Sequence, residues 1–195
     1  MQTFKTISAG LAVIIGIIAF YPYIRDIFLK RTRPHTYTWL IWAITQGVAV
    51  AGMWYGNAGF GALGLSIGAV LVIFVFLFSL KNGTKKITLG DTIILIMALS
   101  AIVIWWQLHN PILAVLMVCL ADALGYIPSY RKSWTDPWGE TVLSWVLFSI
   151  GNIFAIIALA EYNILTLSYL VTICSCNIVL IIICLIRRKK ICISK

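Results

Sequence analysis

The sequence predicts an all-α membrane protein. It has seven transmembrane helices, arranged as two parallel three-helix repeats joined by an inversion helix. Three observations carry that prediction: the composition, the spacing of the apolar runs, and an internal correspondence at an offset of 106 residues. Of 195 residues, 62% are hydrophobic and only 11% charged, and the mean hydropathy is +1.00. Soluble domains carry about 45–50% apolar and about 25% charged residues. A water-soluble enzyme or nucleic-acid-binding domain is therefore excluded. A net charge of +9 would suggest nucleic acid in a soluble chain. Here it raises the question of which membrane face holds the charge.

A spanning helix takes about 20 apolar residues. Apolar runs of that kind fall at 6–24, 37–56, 60–80, 91–107, 111–130, 140–160 and 163–186. Lys5 and the stretch from Ile7 to Phe20 resemble a signal peptide, but the run ends in Phe20-Tyr21-Pro22-Tyr23 without small residues for cleavage. It is therefore read as the first span. Asn57-Ala58-Gly59 and Glu161-Tyr162-Asn163 predict tight turns. Lys81-Asn82-Gly83 predicts the end of the third helix and Asp91 a cap for the fourth. Asp136-Pro137 predicts a cap and first-turn proline for the sixth. The expected units are 1–81, a first three-helix repeat; 82–108, a linker helix; 109–187, a second three-helix repeat; and 188–195, a basic cytoplasmic tail.

The five cysteines, Cys119, Cys174, Cys176, Cys184 and Cys192, show no disulfide or zinc spacing and read as small core residues. No metal or cofactor is expected, and nothing indicates an enzyme. His35 and His109 fall in loops, and the seventh span holds no lysine for a retinal Schiff base. The ending Cys192-Ile193-Ser194-Lys195 is not expected to be prenylated.

Charge orients the chain. Arg25, Lys30, Arg31 and Arg33 follow span one, and Lys81, Lys85 and Lys86 follow span three. Arg131 and Lys132 follow span five, and Arg187, Arg188, Lys189, Lys190 and Lys195 follow span seven. Only Lys5 lies on the other side. Lys/Arg-rich loops stay cytoplasmic, so the N-terminus is expected outside and the C-terminus inside. The expected location is a bacterial inner membrane, with the Arg187–Lys190 cluster on anionic headgroups.

At the 106-residue offset, 21–81 aligns with 127–187 without a gap. Pro22 falls on Pro128, Arg25 on Arg131, Trp39 on Trp145, Gln46 on Asn152 and Asn57 on Asn163. Three helices form an odd unit, so one extra span restores parallel orientation to the copies. A solute site is then expected near the midplane between them.

That plan resembles the SWEET sugar transporters and the wider PQ-loop proteins. The local carriers are "YPYIRDIFLKRT", with Pro22, Arg25 and Lys30, and "GYIPSYRKSW", with Pro128, Arg131, Lys132 and Ser133. The residues after the prolines are Tyr23 and Ser129 rather than glutamine. The resemblance implies a sugar-contacting asparagine in the third helix of each repeat; Asn177 occupies that place and its counterpart is Leu71. The tryptophan-rich run on helix two also resembles nicotinamide riboside transporters.

Candidate site residues follow from position. Asp122 is the one acid near a span centre, where insertion costs about 2.5–3.5 kcal/mol. It is expected to face the bundle interior as a proton-coupling or solute-binding carboxylate, or as an interhelical hydrogen-bond anchor. Trp39, Trp42 and Gln46 share one helical face, and Trp145, Phe148 and Asn152 repeat the spacing. Aromatic walls with one amide per repeat suit a small polar solute. The alternatives are interfacial belt tryptophans and helix-packing amides. Pro22 and Pro128 are candidate hinges or helix terminators. Gly61, Gly64 and Gly68 predict close helix packing, and Trp105 with Trp106 an outer aromatic belt.

The expected function is transport of a small polar solute (sugar, amino acid or vitamin-like) by alternating access, uniport or proton-coupled. Two alternatives stand beside it: a receptor of the same fold for a small ligand or peptide, and a membrane scaffold. The expected partners are the solute, the bilayer and, as an open alternative, further copies of the chain. Nucleic acid is not expected.

Overall fold

The computed structural model describes residues 2–32, 34–83 and 87–190. Arg33, Lys85, Lys86, Cys192 and Lys195 lie outside the described residues. Among the described residues eight α-helices follow in order: α1 Gln2–Phe28, α2 Thr36–Tyr55, α3 Ala62–Asn82, α4 Leu89–Leu108, α5 Pro111–Gly125, α6 Ile127–Thr135, α7 Val142–Ile157 and α8 Ile164–Lys190. Tight 3-10 turns at Gly59–Gly61 and Pro137–Gly139 precede α3 and α7.

Local chemistry sets the boundaries. Asn110 caps α5 by accepting from Leu113 N at 3.0 Å, and Pro111 takes the first turn, where its missing N–H costs nothing. Asn163 caps α8 through Leu165 N and Thr166 N. Gly83 closes α3 by donating to Ser79 O at 2.8 Å. The cap of α4 is Thr88 rather than Asp91. Asp91 is the reciprocal member of a capping box, accepting from Thr88 N at 2.8 Å.

Two other boundaries differ from the sequence reading. Asp136-Pro137 does not open a membrane helix. Asp136 Oδ1 accepts from Gly139 N at 3.1 Å and closes a 3-10 turn, then Glu140 turns extended, so α7 begins at Val142. At the C-terminus, α8 does not stop at 186 but runs to Lys190. Lys and Arg are good helix formers, and cations are favoured at a helix C-terminus.

Among the described residues five helical segments are long and apolar enough to cross a membrane: Gln2–Phe28, Gly59–Asn82, Leu89–Leu108, Pro111–Thr135 and Ile164–Lys190. The α5–α6 pair counts as one of these, interrupted only at Tyr126. Two of the seven expected spans are not in this set. α2 has 20 residues, but its threonines, Gln46 and aromatic rings lower its hydropathy. α7 is apolar but only 16 residues long. That is about 24 Å, against a hydrocarbon core of about 30 Å.

Side-chain sizes are distributed for lipid rather than for water. The interior is rich in small residues: Ala12, Ala19, Ala49, Ala62, Ala98, Ala101, Ala114 and Ala121 are all buried. The periphery carries large apolar ones, among them Ile14, Ile18, Phe74, Ile96, Val103, Leu120, Ile153 and Ile182. Water would drive that surface to associate; lipid solvates it, while small residues let the backbones approach closely. The chain is a helical, multi-pass membrane protein.

The packing order places the site. α1 and α2 each pack on α3, and α5 and α7 each pack on α8. Across the molecule α1 packs on α7 and α2 on α5, while α4 lies against α5 and α2. Glycines permit the closest approaches. A Cβ at Gly61 would lie 2.8 Å from the Leu159 backbone, and one at Gly64 would lie 3.2 Å from Ala12 Cβ.

Candidate functional site

A cavity of about 90 Å³ lies between α1–α3 and α5–α8. This is several times what one water needs. Seven candidate binding residues and Asp122 line it: Trp39, Trp42 and Gln46 from α2, Trp145, Phe148 and Asn152 from α7, Asp122 from α5 and Asn177 from α8. Small residues open the space, with Gly16 from α1, Gly68 from α3 and Gly151 from α7. Phe20 and Tyr126 complete the aromatic wall.

Asp122 is 1% exposed. Its Oδ1 accepts two hydrogen bonds, from Tyr169 OH at 2.6 Å and from Thr45 Oγ1 at 2.7 Å. Thr45 also approaches Tyr169 OH at 3.3 Å. Both donors converge on one oxygen, which leaves Oδ2 outside the pair. The carboxyl thus ties α2, α5 and α8 together and still contributes to the cavity wall. Asn177 is buried and its Oδ1 accepts from Tyr126 OH at 2.7 Å. Two polar atoms of lining residues are buried without a partner: Trp42 Nε1 and Gln46 Oε1. Such atoms are costly unless a ligand or water meets them.

The tryptophans are not an interfacial belt. Trp39, Trp42 and Trp145 are each 5% exposed or less and form one aromatic cluster with Tyr23 and Tyr126. The ring centroids of Trp42 and Tyr126 are 4.9 Å apart, those of Trp39 and Trp42 5.2 Å, and those of Trp42 and Trp145 6.0 Å. Beyond them a second cavity of about 650 Å³ is lined by the same three tryptophans and by Lys30, Arg31, Lys132, Asp136 and Glu140. The tryptophans are the partition between the central cavity and this basic-side vestibule. Trp106, by contrast, is exposed, as a belt residue should be.

Hydrogen bonds join the two groups of helices beyond both ends of the central cavity. On the basic side Thr141 donates to Asp26 Oδ2 at 2.7 Å and meets Thr32 at 3.1 Å. On the other side Lys5 Nζ donates to the carbonyls of Leu159 and Ala160 at 2.6 and 3.2 Å. Ala160 N donates to Ala58 O at 3.0 Å, and Asn163 Nδ2 to Gly56 O at 2.9 Å.

The matched prolines occupy unmatched settings. α1 continues through Pro22 for another turn and a half, whereas Pro128 sits in the first turn of α6, just after the interruption at Tyr126. Two of the tail cations are engaged with protein. Arg187 Nε donates to Trp134 O at 2.7 Å, and Arg188 donates to Pro137 O and Glu140 O at 3.0 and 2.8 Å. Lys189 and Lys190 remain exposed.

Sequence reading missed Thr45, Tyr126 and Tyr169. A threonine or tyrosine in an apolar helix carries little signal alone. Only the position of Asp122 shows that a buried carboxylate needs donors from neighbouring helices. No protein-family model, curated protein or solved structure matches the chain.

Proposed function

We propose that the protein is a membrane transporter that moves a small polar solute by alternating access. The two moving bodies are α1–α3 and α5–α8, with α4 joining them. The 16-residue helix Val142–Ile157 spans where the bilayer thins locally around the second body, and α2 spans with its polar side chains on its interior face. This gives seven spans, in a plan that resembles that of the SWEET and PQ-loop proteins. The packing order supports it: in each body the first and second helices lie on the third, and the cross-contacts α1–α7 and α2–α5 exchange under the same two-fold operation.

The observation that carries the reading is the convergence of repeat-matched residues on one cavity. Gln46 and Asn152, Trp39 and Trp145, and Trp42 and Phe148 come from positions 106 apart and line the same space. A scaffold has no need of a polar, aromatic-walled cavity there, and short connections on the side opposite the basic residues leave a receptor little surface for a peptide. The basic face is cytoplasmic in this reading, so a reporter fused after Lys195 is active only in the cytoplasm.

The test is loading of proteoliposomes with a cell-derived metabolite mixture, read by mass spectrometry. The wild type should accumulate at least one solute that empty liposomes do not. Asn152→Leu should lose it while keeping the wild-type unfolding temperature. Identical loading by wild type, variant and empty liposomes would overturn the proposal.

A further inference from the structure

We infer that the central cavity takes a small organic cation bearing an N–H or hydroxyl group, with Asp122 as its counter-charge; this rests on the cavity being the solute site. Among the described residues Asp122 is the one carboxylate of the lining, and no Lys, Arg or His lines the cavity beside it. Its two hydrogen-bond donors, Tyr169 and Thr45, are neutral hydroxyls and both serve Oδ1. An ionised carboxylate buried at that depth needs a counter-charge. The lining residues offer none, so what enters supplies it, either as a proton on the carboxyl or as a cation beside it.

The rest of the wall suits the same ligand. Phe20, Trp42, Tyr126, Trp145 and Phe148 surround the space, and aromatic faces attract cations, tryptophan most strongly. Gln46 Oε1 is a buried acceptor without a donor and Trp42 Nε1 a buried donor without an acceptor. An ammonium or hydroxyl proton satisfies the first, which faces Gly68 of the lining, while the second lies against Gly125, outside it. An anion would meet Asp122 as a like charge. A neutral sugar would supply hydrogen bonds but leave the carboxylate uncompensated.

Tryptophan emission of the full chain in detergent tests this. The titrants are tetramethylammonium, guanidinium and choline, set against tert-butanol and 3,3-dimethylbutan-1-ol, which match two of them in shape without charge, and against glucose. At least one cation should change the emission saturably at a concentration tenfold or more below every neutral titrant. Asp122→Asn should remove that difference. Phe148→Leu, which keeps the carboxylate and deletes one ring, should weaken tetramethylammonium several-fold. Equal binding of neutral titrants, no saturable binding of any cation, or full cation affinity in Asp122→Asn would each overturn the inference. Metabolite loading that depends on Asn152 but is confined to neutral solutes would remove the cation and leave the transporter standing.

Discussion

The indole N–H of Trp145 donates to Glu140 Oε2 at 3.2 Å, so a tryptophan of the cavity wall is anchored to a carboxylate of the vestibule. The other oxygen of that carboxylate holds Lys132 Nζ at 2.9 Å. Glu140 is buried, while the Lys132 side chain is 35% exposed. The aromatic partition is thereby tied to the segment between α6 and α7, which Arg188 also holds.

Lys132→Met should destabilise the protein by about 1–3 kcal/mol, because it leaves a buried carboxylate with one remaining side-chain donor. Solvent around Lys132 keeps the loss below that of a fully buried pair. Glu140→Gln should cost less, and the double variant should recover part of the Lys132→Met loss. Thermal unfolding in detergent measures all three. A strictly additive double variant would show that the two groups are not coupled.

Tyr169→Phe should cost about 1–2 kcal/mol through loss of the 2.6 Å bond to Asp122. Thr45→Val should behave similarly. Together they should cost more than the sum, since each leaves the other as the sole donor to Oδ1. Urea or thermal unfolding of the four species closes the cycle. Additivity within about 0.3 kcal/mol would mean the two donors act independently.

Close helix contact at Gly61 gives a contrast of the opposite kind. An Ala Cβ there would sit 2.8 Å from the Cα and N of Leu159, backbone atoms that cannot rotate aside. Gly61→Ala should therefore cost about 1–3 kcal/mol. Gly10→Ala meets nothing within 4 Å, and the better helix propensity of Ala should leave the unfolding temperature unchanged or raised. Equal unfolding temperatures for the two variants would refute the packing assigned to Gly61.

The helical membrane character and part of the cavity lining were legible from position, whereas Phe20 and Tyr126 of the aromatic wall were not. Asp122 stood alone in a span, and Gln46, Asn152 and the tryptophans recurred at a fixed offset. Helix ends near Asp136 were not, because Asp-Pro serves a helix start and a 3-10 turn equally well. The partition role of Trp39 and Trp145 was hidden too, since a tryptophan near a span end reads the same whether it faces headgroups or an aromatic cluster. The destination of Arg187 and Arg188 depended on tertiary contacts with Trp134, Pro137 and Glu140, which no local pattern encodes.

Alternating access is tested most directly at Gly16, which lines the cavity and has nothing within 4 Å of an added Cβ. Gly16→Cys would be placed in a chain whose five native cysteines are replaced by serine or alanine. A membrane-impermeant methanethiosulfonate would then be applied to right-side-out and to inside-out vesicles. The account predicts modification from both faces. Thr141→Val, which breaks the bond to Asp26, should speed it from the basic face, and Lys5→Met, which frees the carbonyls of Leu159 and Ala160, from the other. Modification from one face only, unchanged by either substitution, would contradict transport and leave a one-sided receptor as the better description.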